Sequence, residues 1–340
     1  TALQHVKAPI ISLPWRWLTD TWRFDRSKLF VALLILVLGF MVIYPIGSVV
    51  ISSFYPDEKS ASFGFGAWLS AFAEPGMVEA ISNTLKVVLV TQAIGLPTAI
   101  VIAWLLARTN VPGNRWLEFG FWIMYFLPSL AVMTGWMLVF NKDFGLANRW
   151  LIALGIVDEP LFDMYSYWGI VFAHLSTYAI AVKVMLLTPA FRNLDGSIEE
   201  ASRVCGASAI GTFIRVVIPI LLPAILVVFL MSLIRGLEAF EIELVLGTPI
   251  EFQVYTTKMY TLVSDNPPKF AGAGVLATSI LLLLIPLLGV QRWASTRRSS
   301  VVVTGQASPT KTDLGRWRWP VFAMLLAVVC FFSLLPLGLL

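Results

Sequence analysis

The residues placed to do work in this 340-residue chain fall in two groups. The first lies between Asp195 and Pro219, where Glu199, Glu200, Ala201, Ser202, Arg203, Gly206 and Ala207 sit on a short polar stretch between two apolar ones. Asp195 or Ser197 is placed to cap a helix, and Glu199 and Glu200 in its first turn suit the positive end of the helix dipole. Gly206 allows a sharp bend, and Ala207 to Phe213 form a second short helix. Such a helix–turn–helix suits insertion into a partner's groove. The second group is Arg235, Glu238, Glu241 and Glu243, set in or beside an apolar run where ionisable residues are costly and mark function. Arg235 and Glu238 are three apart and share a helix face. They read either as interfacial charge that meets water, or as a mouth or gate that screens a passing solute.

No third group suggests covalent chemistry. Two cysteines and two histidines form no metal-ligand cluster, and no catalytic nucleophile or pair stands out. A phosphate-cradling G-x-x-x-x-G-K-[ST] run is missing, so the sequence offers no nucleotide-hydrolysing signature of its own. Gly272-Ala273-Gly274-Val275-Leu276-Ala277 matches a dinucleotide fingerprint in form only. It opens an apolar span with no strand before it, and reads as close helix packing. No cofactor and no metal is called for.

The elements that must position these residues follow from composition. With 58% apolar residues, 13% charged and a mean hydropathy of +0.82, the chain cannot cover itself with a water-facing surface. About 20 apolar residues are needed to cross a bilayer. Six stretches qualify before residue 295: Leu29 to Phe54, Ala80 to Ala107, Phe119 to Phe140, Tyr165 to Thr188, Ile218 to Leu246, and Phe270 to Gln291. A seventh starts near Trp319 and runs to Leu340. The fold class is therefore all-α, a polytopic transmembrane helical bundle. Within it, Lys183 is expected to snorkel from the inner end of the fourth span. His174, in mid-span, is expected to make an interhelical hydrogen bond. No disulfide is expected between Cys205 and Cys330.

Sorting Lys and Arg by side gives sixteen on the set of loops that includes the N-terminus and five on the other, which predicts a cytoplasmic N-terminus. The basic balance thus reports orientation and needs no nucleic-acid partner. Trp15, Trp17, Trp22, Trp317 and Trp319 beside basic residues read as an interfacial belt. The opposite loops carry Asp57, Glu58, Glu74, Glu79, Asp143, Asp158, Glu159, Asp163, Glu251 and Asp265. They are equally a solvated acidic surface or a docking face for a solute-binding protein.

A shift of 291 positions lays Phe40 on Phe331, Pro45 on Pro336 and Gly47 on Gly338, with an Arg/Trp-rich segment before each span. The chain is accordingly expected to hold a tail at 1–28, a six-span unit at 29–292 with a loop at 189–217, a Ser/Thr-rich linker at 293–318, and the first span of a second unit at 319–340. Beginning with Thr and ending inside an apolar helix, it reads as part of a longer protein.

Glu200-Ala201-Ser202, three residues, Gly206, nine residues and Val216-Val217-Ile218-Pro219 resemble the EAA loop of binding-protein-dependent ABC importer permeases. Ser at the third position, and Val and Ile at the apolar ones, are mild departures from that pattern. The stretch from Phe240 to Pro249 and Val254 to Thr257 is similar to fused permeases of the ferric-iron type. The resemblance implies a bacterial inner-membrane permease importing a small solute, ferric iron or similar. It implies that Glu199, Glu200, Ala201, Ser202, Arg203, Gly206, Ala207 and Pro219 belong to a coupling loop seated on a dimer of ATP-binding cassette subunits. It further implies an extracytoplasmic binding protein as second partner and the lipid bilayer as surroundings. An ion-coupled secondary carrier is the alternative; it would need acids near the membrane midplane, and here they gather toward one end.

Overall fold

A computed structural model describes residues 26–55, 63–298 and 311–340. The tail at 1–25, Asp57, Glu58 and Lys59, and the linker stretch 299–310 lie outside the described residues. Among the described residues the structure is helical, its sole β feature an isolated bridge between Thr109 and Thr312. Six helices are long and apolar enough to cross a membrane, or seven spans if one bent pair counts as a span.

The chain divides after Ile51. Helix α1 (Arg26–Ser52) forms the first unit, with none of its most apolar window buried. An apolar helix exposed on all sides requires lipid or another membrane helix around it. The second unit contains α2 (Gly66–Phe72), α3 (Met77–Arg108), α4 (Asn114–Phe126), α5 (Ser129–Phe140) and α6 (Leu146–Ala153). These are followed by α7 (Tyr167–Arg192), α8 (Gly196–Val204), α9 (Ala209–Leu237), α10 (Tyr255–Ser264), α11 (Phe270–Arg298) and α12 (Gly315–Gly338).

The span expected from Phe119 to Phe140 is broken. Helices α4 and α5 meet at 96° across Leu127 and Pro128, both in extended conformation. Proline pushes the residue before it out of the helical region and removes an N–H, so Leu127-Pro128 ends one helix and starts another. With 13 and 12 residues, α4 and α5 are each about 20 Å long or less, short of a ~30 Å hydrocarbon core. The fifth span also differs from expectation. It starts at Ala209, absorbing the second short helix of the loop, and stops at Leu237 rather than near Leu246. A wider π turn at Phe213–Val217 precedes Pro219 and accommodates its missing N–H within a continuous helix.

Three apolar clusters hold the second unit together. The largest joins α3, α4, α7, α9 and α12 through Leu106, Phe121, Val184, Phe191, Val217 and Leu325. The second centres on fully buried Trp136, stacked on Phe140 with ring centroids 5.3 Å apart and met edge-on by Phe172. The third joins α2, α10 and α11 around Tyr255, Leu262 and Val275. Helix α12 reaches the second cluster because Gly135 leaves α5 without a side chain there. A Cβ on Gly135 would lie 2.1 Å from the Pro336 carbonyl oxygen. Close backbone approach at a small residue is how membrane helices gain packing without a hydrophobic driving force.

Candidate functional site

The loop between α7 and α9 folds from local signals. Asp195 caps α8 by accepting a hydrogen bond from the Ser197 N–H at 3.0 Å. That bond holds its carboxyl below the usual range. Gly206 turns the chain at φ +87°, a conformation a side chain rarely adopts. Ser208 then caps α9, accepting from the Gly211 N–H at 3.1 Å. The result is a nine-residue helix set on the end of the bundle.

The two faces of α8 differ. Glu199 is turned inward and buried, its Oε1 accepting from Arg108 Nε at 3.0 Å. Arg108, fully buried at the end of α3, also donates from Nη1 to the Leu194 carbonyl at 3.0 Å. Glu200, Ala201, Arg203 and Gly206 are exposed, Val204 is 88% exposed, and Ala207 is half-buried. Ser202 forms a hydroxyl–hydroxyl bond with Thr212 at 3.0 Å, a physical use for serine where the family pattern has alanine. Pro219 is exposed in the first turn of α9's regular helical part. The inner face is thus locked to the bundle while the outer face presents an acid, small residues and an apolar tip.

The second group gathers on the far side of the bundle. Arg235, Glu238 and Glu241 line a cavity of about 480 Å³, together with His174, Tyr178 and Glu243. Arg235 and Glu238 make no ion pair with each other among the described residues; both face the cavity. Glu241 accepts a hydrogen bond from Ser129, the first residue after the α4–α5 break. The break therefore brings α5 to the cavity wall. Glu243 does not meet water as an interfacial charge would: it is buried, and its Oε1 meets His174 Nε2 at 2.6 Å. His174 Nδ1 lies 3.1 Å from the Tyr178 hydroxyl. The expected interhelical bond of His174 is present, and π turns at Leu175–Ala179 and Glu243–Gly247 adjoin both of its ends. Such turns recur where a helix is distorted for function.

Lys183 does not snorkel. It is 1% exposed and its Nζ donates to the Ala179 carbonyl at 2.9 Å, below the cavity wall. Its head group folds back on the preceding turn of α7 and the residue lines a small internal pocket with Gln92, Ser232 and Arg235, a placement that periodicity alone could not reveal. Arg108 escaped the sequence reading as a site residue for a related reason: its partner is 91 positions away.

A bundle of helices long and apolar enough to cross a membrane, with a short capped helix at one end and a charged cavity toward the other, is the architecture of a polytopic helical membrane protein. The family model described as "Binding-protein-dependent transport system inner membrane component" matches residues 95–300, more than half of the chain, and the chain belongs to that family. It is 26% identical over 78% of its length to a probable sulfate transport system permease protein, cysT, of Nephroselmis olivacea, covering 90% of that protein. It is 28% identical over 81% of its length to the ferric transport system permease protein FbpB of Actinobacillus pleuropneumoniae, but spans only 39% of it. Its fold is that of a chain in the crystal structure of a bacterial alginate ABC transporter in complex with alginate pentasaccharide-bound periplasmic protein. The TM-score is 0.66 at 17% identity, covering 86% of this chain and 99% of that one.

Proposed function

We propose that the chain is a membrane subunit, or part of one, that imports a small solute handed over by an extracytoplasmic binding protein. A dimer of ATP-binding subunits drives the transport. Its docking element is α8 and the turn that follows it, with Glu200, Ala201, Ser202 and Arg203 on the helix, Gly206 and Ala207 in the turn, and Pro219 marking the return into the membrane. The observation that carries this is the two-sided character of α8. Its Glu199 face is fastened to Arg108, so a push on its exposed face moves α3 instead of bending a loop. The loop lies in the cytoplasm, with the N-terminus on the same side of a bacterial inner membrane; the Lys and Arg distribution supports this.

Arg235, Glu238 and Glu241 form part of the wall or gate of the passage, supported by the cavity they line. Ferric iron or a similar small solute is the cargo we favour. The likeness to a ferric permease and the carboxylates on the cavity wall support it, although the sulfate relative shows that the family carries other solutes. Residues 29–292 act as one permease half and 319–340 as the opening span of a second, supported by the Phe40/Phe331, Pro45/Pro336 and Gly47/Gly338 register.

The test is Glu200→Lys and Gly206→Pro in the complete protein, co-expressed with its ATP-binding subunit and assayed for uptake of radiolabelled ferric iron. Loss of uptake and of subunit co-purification is expected. Survival of both in both variants overturns the docking role of α8.

A further inference from the structure

Three of the four residues before α12, Thr312, Asp313 and Leu314, are bonded into the joint beneath α8. The Thr312 N–H donates to the Arg108 carbonyl at 2.7 Å, and the Asn110 N–H donates to the Thr312 carbonyl at 3.2 Å, forming a one-residue parallel bridge. Asn110 Nδ2 donates to Asp313 at 2.5 Å, and Asn110 Oδ1 accepts from the Leu314 N–H at 3.0 Å. Asp313 in turn accepts from the Gly315 N–H at 2.8 Å, tying this contact to the start of α12. On the other side, Arg203 of α8 donates from Nη2 to Thr312 Oγ1 at 2.6 Å. Thr109 is fully buried and Thr312 nearly so, although both belong to connecting segments.

A Ser/Thr-rich linker whose task is only reach needs none of these bonds, since its entropy favours leaving it free. Here both backbone groups of Thr312 pair with the end of α3 while its side chain holds α8. We propose that residues 311–314 are a strap that fixes α8 to the end of α3 and the start of α12, so the three move as one body. Thr312 and Asn110 are its positioning residues. The strap rests on the docking role proposed for α8, and gives a push on that helix a direct route into the span that follows the linker. Without it, the push would reach α12 only through side-chain packing within the bilayer.

The experiment uses the full-length protein with its ATP-binding subunits and binding protein in liposomes, reading solute moved per ATP hydrolysed. Asn110→Ala combined with Thr312→Val removes the side-chain bonds and keeps the backbone bridge. Subunit co-purification should be unchanged while the transport-to-ATP ratio falls several-fold. In a second variant, Cys205 and Cys330 are replaced by serine and Asn110→Cys is paired with Asp313→Cys. Reduced, this pair lacks the Asn110 and Asp313 side-chain bonds and should show a lowered ratio, and oxidation should close the strap covalently and raise the ratio back toward the wild-type value. A wild-type ratio in the loosened variant overturns the strap, as does a ratio in the cysteine pair that oxidation leaves unchanged or lowers. The cross-link arm decides alone if the loosened variant fails to fold. Failure of the docking role would appear separately, as full co-purification and transport with Glu200→Lys.

Discussion

At the scale of single residues, the most consequential contact is the Arg108–Glu199 pair. Both side chains are removed from water, and their mutual attraction offsets a desolvation cost of several kcal/mol per ion. Such a pair adds little net stability over apolar residues of the same volume, yet breaking one side of it strands a buried charge. Glu199→Ala or Arg108→Met alone should therefore destabilise the protein by about 3–5 kcal/mol. Arg108→Met with Glu199→Met should recover most of that loss. Thermal unfolding of the four proteins in one detergent checks this; equal losses in the single and double variants would refute it. The pair was not legible in the sequence, because 91 positions separate its members: Glu199 reads there as a first-turn charge of the loop helix, and Arg108 only as one of the sixteen basic residues on its side. The Asp195 cap and the Gly206 bend were legible, since their chemistry is local: a carboxylate two residues before an open N–H, and a missing Cβ at positive φ.

Among the elements, apolar length located every membrane-crossing helix but not every bend. Pro97, Pro189, Pro223 and Pro286 all sit inside continuous helices, whereas Pro128 turns the chain by 96°. The residue type is the same, and the difference lies in tertiary partners. After the break, α5 packs Trp136 into an aromatic cluster and lies against the end of α12. That contact depends on Gly135. Gly135→Ala puts a methyl against the Pro336 backbone, which cannot swing aside as a side-chain tip would. Overpacking of this kind costs about 1–3 kcal/mol. Gly289→Ala in α11, where nothing lies within 4 Å, should be neutral or stabilising by up to about 1 kcal/mol, following helix propensity. Opposite signs for the two alanines in thermal unfolding are expected; a neutral Gly135→Ala would mean that α12 is not seated on α5.

At the scale of the whole molecule, the two charged groups lie far apart. Helix α9 links them, starting just after α8 at Ala209 and ending at Leu237, next to the cavity. At about 1.5 Å per residue its 29 residues separate the ends by roughly 40 Å. Over that distance, side-chain changes with no shared partner act independently on stability. Charge reversal in the cavity, Glu238→Lys with Glu241→Lys, should therefore leave association with the ATP-binding subunit at the wild-type level while lowering solute uptake at least tenfold. Glu200→Lys should lower both. The measurement is subunit co-purification and uptake for each variant and for the triple variant, whose association should equal that of Glu200→Lys alone. A cavity variant that loses the ATP-binding subunit would show that the two ends form one cooperative unit. One that keeps full uptake would place the passage elsewhere. The expected pattern, association set at one end and uptake needing both, is what a machine requires when a partner hydrolyses the ATP and this chain moves the solute.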